Sequence, residues 1–343
     1  MSYTWLISWN IPSGLTPFIS SCPDYAPPLI LPWSAIRPSR PPCAMNLLHS
    51  LVLATGSVVG SVLAALYVFQ EKLLYHPTLP TRRYEKKPDD YAMRYTDAHI
   101  VAADGVRIHA WLITQPRSTA AATFLYFHGN AGNLSHRLPD VRAFFASGFN
   151  VLMVSYRGYG ESEGSPTEAG IKLDAAAALA YALDRSDVLD VSRLYLFGRS
   201  IGAACALAAA ESADAQNSLR GIVVENTFTS IDDMIDQVMP AISFAKFLNR
   251  NKWNSFAAVG KIALPILFIS GLKDELCPPD HMRSLHRNAE MAKFKVFLTI
   301  AEGTHNDTWW IGGSQYREAV EDFVRRADSE GRNAAAAAET CSP

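Results

Sequence analysis

The stretch Leu194–Ala210, LYLFGRSIGAACALAAA, constrains the fold more than any other part of the chain. An apolar run leads into Gly198-Arg199-Ser200-Ile201-Gly202, and a small-residue run of high helical propensity follows. A serine held between a strand and a helix sits on a turn too tight for bulky neighbours. Gly198 and Gly202 clear space on both sides, and Ala203, Ala204, Cys205 and Ala206 let the helix lie close on a sheet. The G-x-S-x-G pattern by itself arises by chance in a chain with 20 glycines. The strand before it and the helix after it are what make Ser200 a candidate nucleophile. The competing reading is a structural glycine turn ahead of a buried helix.

Composition narrows the partners. A chain of 343 residues holds one large domain or two small ones. The net charge is -2 and no basic stretch is interleaved with aromatics, which argues against nucleic acid as a partner. The five cysteines (Cys22, Cys43, Cys205, Cys277 and Cys341) form no C-x-x-C, so neither a zinc site nor a disulfide framework is supported.

Residues 1–44 are proline-rich and without periodicity, and are expected to form a disordered extension; Met45 is read as an alternative translation start. Leu47–Phe69 is an uncharged run of 23 residues, where about 20 suffice to cross a bilayer. It is read as a single transmembrane anchor over 45–70, followed by a linker over 71–96; a buried core helix is the alternative. Lys72, Arg82, Arg83, Lys86 and Lys87 follow the span, against Arg37 and Arg40 before it, so the balance leans toward a cytosolic globular domain. Two sequons, at Asn133 and Asn306, fall in loops beside the candidate site, where glycans would obstruct it.

From Asp97 the pattern becomes that of a globular domain, expected to end near Ala327 with a disordered tail over 328–343. Ala98–Ala102 and Val106–Thr114 flank Ala103-Asp104-Gly105 as a hairpin. Strands are expected at Ala122–Phe127, Asn150–Tyr156, Leu194–Phe197, Gly221–Glu225, Pro265–Ser270 and Phe294–Ile300, with helical segments between them, including an amphipathic one over Ile231–Leu248. Eight strands, mostly parallel, with the serine after the fifth, give the order of an α/β-hydrolase fold.

In that order the acid and then the base follow the serine. His281, His286 and His305 are the histidines available. His305 stands in a glycine-containing loop after the last strand and is the candidate base, whereas the other two fall on a helix. Asp274, after the Pro265 strand, is the candidate acid; the adjacent Glu275 is not separated from it by sequence, and Asp280 reads as a helix N-terminal residue. The oxyanion donors are expected to be the backbone N–H groups of Ile201 and of Asn130, in the His128-Gly129-Asn130 loop. His128 itself reads as structural. The chemistry is complete without cofactor or metal.

Several separated motifs then agree with one family. They are Phe69-Gln70-Glu71-Lys72-Leu73-Leu74-Tyr75-His76-Pro77, Tyr126–Asn133, Tyr156-Arg157-Gly158-Tyr159-Gly160-Glu161-Ser162, the elbow, Glu225–Ser230 and Gly271–Leu276. Together they resemble membrane-anchored α/β-hydrolases of the bud-emergence-suppressor type, over roughly Met45 to Arg326. Ser155 stands where the family pattern has an aspartate. The resemblance extends to related protein depalmitoylases and implies a serine hydrolase acting on acyl esters or thioesters, with an acyl lipid or lipidated protein as substrate. The apolar residues of 231–248 and Trp309-Trp310 read either as core or as an acyl-chain groove. A serine peptidase of related fold and a catalytically idle membrane scaffold are the competing classes.

Overall fold

The computed structural model describes residues 44–340, with side chains described over 49–333. The expected disordered extension therefore lies outside the described residues, except for its last residue, Ala44.

Helix α1 (Ala44–Leu74) opens the described chain. Within it, His49–Leu74 is apolar enough and long enough to cross a membrane, with a mean hydropathy of 2.1. None of its described side chains is fully buried; Leu63, Leu66, Gln70, Glu71 and Leu74 are half-buried, and Leu74 packs against the core.

The sheet follows as β1 (Tyr95–Val101), β2 (Arg107–Ile113), β3 (Thr123–Phe127), β4 (Asn150–Val154), β5 (Leu194–Arg199), β6 (Gly221–Glu225), β7 (Ile266–Gly271) and β8 (Lys295–Ile300). Its order is β1-β2-β4-β3-β5-β6-β7-β8, antiparallel at β1/β2 and β2/β4 and parallel from β4 onward. The intervening helices are α2 (Leu138–Ala146), α3 (Glu168–Leu183), α4 (Ile201–Ala209), α5 (Ala213–Ser218), α6 (Ile231–Val238), α7 (Ser255–Val259), α8 (Pro279–Asn288) and α9 (Thr308–Thr340).

Alternate residues of each central strand feed two cores. Leu125, Phe127, Leu194 and Leu196 pack with α3, α4, α7 and α8 on one face. Phe124, Tyr126, Tyr195 and Phe197 pack with α2 and α9 on the other. Burial on both faces explains why these strands read as continuous apolar runs rather than alternating ones. The chain moves from β3 outward to β4 and then returns to β5, so the switch point of strand order lies between β3 and β5. In open α/β sheets ligands bind at the carboxyl ends of the strands beside such a point.

Three expectations are corrected. The amphipathic stretch Ile231–Leu248 is two pieces: α6 stops at Val238, and a 3-10 segment, Pro240–Leu248, follows. Pro240 carries no N–H and crowds the preceding turn, so a continuous helix cannot pass it. The 71–96 segment is no loose linker: Tyr75, Pro88 and Met93 are buried, and Tyr75 donates to Asn251 Oδ1 at 3.0 Å. The chain also does not become a tail at 328. Helix α9 continues to Thr340, and Asp328 is buried, accepting from Arg193 at 2.6 Å and Tyr195 at 2.6 Å. Residues 341–343 lie outside the described residues.

Candidate active site

The elbow is built by steric exclusion. Ser200 has φ 57 and ψ -126, a backbone state rarely held by a residue with a side chain. A Cβ on Gly198 would overlap the Gly202 carbonyl, and one on Gly202 would overlap the Phe127 carbonyl. Both glycines are thus required by close backbone approach. The strained turn is held from below: Ser200 N–H donates to Glu225 O at 3.0 Å, and Thr227 Oγ1 donates to Ser200 O at 2.8 Å.

Arg199 locks the same turn through its side chain. It is buried and donates to Asp140 Oδ2 at 2.7 Å and to Glu225 Oε1 at 2.8 Å. Burial opposes its charge, but the two carboxylates outweigh that cost and hold its pKa well above the usual value. Burial pushes the Glu225 carboxyl up, while Arg199 and the Tyr316 hydroxyl, 2.7 Å away, favour its charged form.

The candidate acid and base lie in contact, on loops that follow β7 and β8. His305 Nδ1 lies 2.8 Å from Asp274 Oδ2, and Asp274 Oδ1 accepts from the N–H groups of Leu276 at 2.9 Å and Cys277 at 2.8 Å. None of these three contacts involves Glu275, which is exposed to solvent. Asn226 draws the two loops over the elbow. Its Nδ2 donates to Thr304 O and to Thr308 Oγ1, each at 2.9 Å, and its Oδ1 accepts from Gly271 N–H at 2.8 Å. Lys273 N–H donates to Gly303 O at 2.9 Å, which stitches acid loop to base loop directly.

Ser200, His305 and Cys277 line one cavity of about 480 Å³, together with Gly129 and Asn130. Among the described residues no hydrogen bond joins Ser200 to His305. Such contacts are often formed only with substrate bound. Burial, reinforced by Asp274, pushes the Cys277 thiol well up, so it stays protonated and does not compete as a nucleophile. The backbone N–H groups of Asn130 and Ile201 have no protein acceptor among the described residues and are free to take one. His281 bonds Thr229 and Gln237, and His286 packs on Phe268 and Phe297; neither reaches this cavity.

The residues around 122–242 match a family model described as the alpha/beta hydrolase fold. The chain is 37% identical to the alpha/beta hydrolase domain-containing protein WAV2 of Arabidopsis thaliana, over 82% of its own length and 96% of that protein. It is 37% identical to protein bem46 of Schizosaccharomyces pombe, over 82% and 95%. The chain belongs to the Bem46-like α/β-hydrolases. An uncharacterized membrane protein of Saccharomyces cerevisiae, YNL320W, is 35% identical over 76% of this chain and 90% of its own. Among solved structures, the Pyrococcus furiosus esterase Pf2001 shares the fold with a TM-score of 0.59 at 20% identity, over 71% of this chain and 96% of that one.

In this Bem46-like site, several contributors were not visible in sequence. Asn130 was expected only for its backbone N–H, yet its side chain joins the segment after α1 to the site. Its Nδ2 bonds Leu74 O, and its Oδ1 accepts from Tyr159 OH at 2.9 Å and His76 N–H at 3.3 Å. Asn226 and Thr227 belong to the Glu225–Ser230 motif but had no assigned role. The sequon residue Asn133 is fully buried and donates to Thr81 O and Arg83 O at 2.9 Å each, so it cannot carry a glycan in the folded chain. Ser155, the family departure, donates to Tyr159 O at 3.1 Å and is accommodated without a charge. Trp309 packs on the α2/α9 core and Trp310 faces solvent, so neither lines the cavity.

His128 is fully buried with Nδ1 2.7 Å from Gly129 O and Nε2 unpartnered, and burial pushes its pKa down to about 3. The unfolded chain protonates this ring below about pH 6.5, while the folded chain does so only near 3. The ring's contribution to stability is therefore present above about pH 6.5 and lost as pH falls, by about 1.4 kcal/mol per pH unit inside the window. His128→Gln should lose this dependence. Its stability deficit against wild type, from denaturant midpoints, should shrink by about 2–3 kcal/mol between about pH 7 and about pH 4.5. A deficit that does not change with pH would refute the assignment.

Proposed function

We propose that this chain is a membrane-anchored serine hydrolase that cleaves acyl esters or thioesters, palmitoylated protein among them, through an acyl-enzyme. The observation that carries the reading is the single cavity shared by Ser200 at a strained elbow and by His305, itself paired to the buried Asp274.

In this mechanism Ser200 Oγ attacks the acyl carbonyl while His305 Nε2 takes its proton. Asp274 holds His305 by Nδ1, which keeps Nε2 as the free acceptor and stabilises the ring once it is charged. The N–H groups of Asn130 and Ile201 receive the developing oxyanion. His305 then protonates the leaving alcohol or thiol, and water, activated by the same ring, releases the acid. No cofactor or metal enters the scheme. The apolar span His49–Leu74 tethers the domain to a bilayer, and the Lys/Arg excess after it favours the cytosolic side.

Labelling by a fluorophosphonate probe, followed by a panel of acyl-thioester, acyl-ester and peptide substrates, tests this reading. We expect labelling and acyl turnover; a folded wild type that takes up no probe would overturn it. Asn130→Ala tests the oxyanion loop. It keeps the N–H but frees the loop from Leu74, His76 and Tyr159, so kcat should fall about 10-fold to 100-fold while KM changes little. An equal effect on a variant's KM alone would assign Asn130 to substrate contact instead.

A further inference from the structure

The catalytic cavity does not end at the serine. It is walled by Leu73 and Leu74 of α1 and by Ile231, Ile235 and Met239 of α6 and its end. The same five side chains wall a second, largely apolar cavity of about 140 Å³ between the end of α1 and the 3-10 segment Pro240–Leu248, with Gln70, Lys246, Asn249 and Asn251 as its polar lining. Its far wall is Leu66, Ile242 and Ala245. The two spaces therefore share one apolar wall, which borders Ser200's cavity on one hand and the end of α1 on the other.

The 3-10 segment is fixed at a definite level of that helix. Arg250 N–H donates to Gln70 Oε1 at 2.6 Å, its guanidinium pairs with Glu71 at 2.8 Å, and it stacks on Tyr67 with 4.7 Å to the ring centroid. The helical span of 26 residues would be about 39 Å long, whereas the hydrocarbon core is about 30 Å thick. About six residues must then lie outside the core, and Glu71 and Lys72, the first charges of the span, mark the end that emerges. Leu66 to Gln70 thus sits at the boundary of the hydrocarbon, and the 3-10 segment with it. There Phe244 and Phe247 are 68% and 73% exposed, flanked by Lys246 and Arg250. Aromatic and basic side chains on one short segment are the pattern of a membrane interface.

We propose that the second cavity is an acyl-chain site that opens sideways into the bilayer between α1 and Pro240–Leu248. Phe244 and Phe247 seat the 3-10 segment in the interface. The long alkyl chain of a bilayer-resident acyl ester or thioester then reaches Ser200 without passing through water. The inference rests on the hydrolase reading and on α1 spanning a membrane. It adds the place of the chain and its route.

Two measurements on the full chain in phosphatidylcholine vesicles test it. In the first, a fatty acid with a terminal diazirine is incorporated and irradiated, and the adducts are mapped. Adducts in the peptides holding Ile235–Ala245 and Leu66–Leu74 are expected; adducts confined to α1 before Leu66 would overturn the proposal. This readout needs no turnover, so adducts in the cavity of a protein that hydrolyses nothing would sustain the site and sink the hydrolase reading. In the second, the ratio of kcat/KM for a palmitoyl thioester to that for a butyryl thioester is compared across variants. Ala245→Trp, which fills the cavity, and Phe244→Ser with Phe247→Ser should each lower the ratio at least about 10-fold, that is by about 1.4 kcal/mol. Should Ala245→Trp fail to fold, Ala245→Leu gives the same comparison with a smaller change. A ratio unmoved in folded variants of an active enzyme would reject the acyl route and leave the hydrolase intact.

Discussion

Ser200→Ala is expected to lower acyl-ester kcat by roughly 10⁶-fold and to abolish fluorophosphonate labelling, with the fold unchanged. The size follows from what the residue does in the proposed scheme. Without Oγ no acyl-enzyme forms, and about 8 kcal/mol of barrier lowering is lost at about 1.4 kcal/mol per decade. The oxyanion donors and the cavity remain, so a small residue of activity above background is expected. The fold should hold because the turn is fixed by backbone and neighbours rather than by Oγ: Glu225 O and Thr227 Oγ1 grip the main chain at Ser200. Adding His305→Ala to Ser200→Ala should cost almost nothing more, since serine and base act as one unit. The check is a single-turnover assay with thermal unfolding run alongside. Residual kcat within about 10-fold of wild type would remove Ser200 from the mechanism.

Arg199→Ala should be the most damaging single change to the fold outside the main apolar cores, costing about 3–5 kcal/mol. The guanidinium is buried between Asp140 and Glu225, which come from α2 and β6 and whose carboxylates have no other cation at hydrogen-bond distance among the described residues. Removing it leaves two carboxylates buried a short distance apart. The whole stability of such a domain is typically about 5–15 kcal/mol, so the loss is a large fraction of the total. Turnover should fall as well, because Glu225 O also accepts from Ser200 N–H and the elbow shares its foundation with this ion triad. Pairing Arg199→Met with Glu225→Gln and Asp140→Asn should recover much of the stability, since no uncompensated charge then remains. Denaturant midpoints decide the matter; a loss under about 1 kcal/mol for Arg199→Ala would mean that water reaches the carboxylates and repays the missing partner.

The legibility of the site follows from how local each requirement is. The elbow was readable because the steric demand falls within five residues: both glycines are excluded from carrying a Cβ by backbone atoms close at hand. Asp274 and His305 were readable by chain order, since a fixed strand sequence dictates which loops rise over the elbow. What separates Asp274 from Glu275 is not local. It is the direction in which one loop points, set when Lys273 meets Gly303 and Asn226 meets Gly271. The break at Pro240 was present in the sequence and was overridden by the apolar pattern on either side of it, where the absent N–H should have prevailed. The run of alanines at the end of α9 likewise read as tail, although helical propensity and the buried Asp328 carry the helix on.

By itself the sequence determined the α/β-hydrolase order, the apolar span, and the identities of Ser200, Asp274 and His305 as candidates, because periodicity, turn chemistry and chain order are properties of neighbouring residues. Only the tertiary structure decided how those residues are held. Arg199 finds Asp140 and Glu225 across three elements, Asn130 ties the loop beside the serine to the end of α1, and the 3-10 segment closes an apolar path against the same helix. These are contacts between residues tens to hundreds of positions apart. Their partners are chosen by how the sheet brings distant loops together, and no local pattern records that choice.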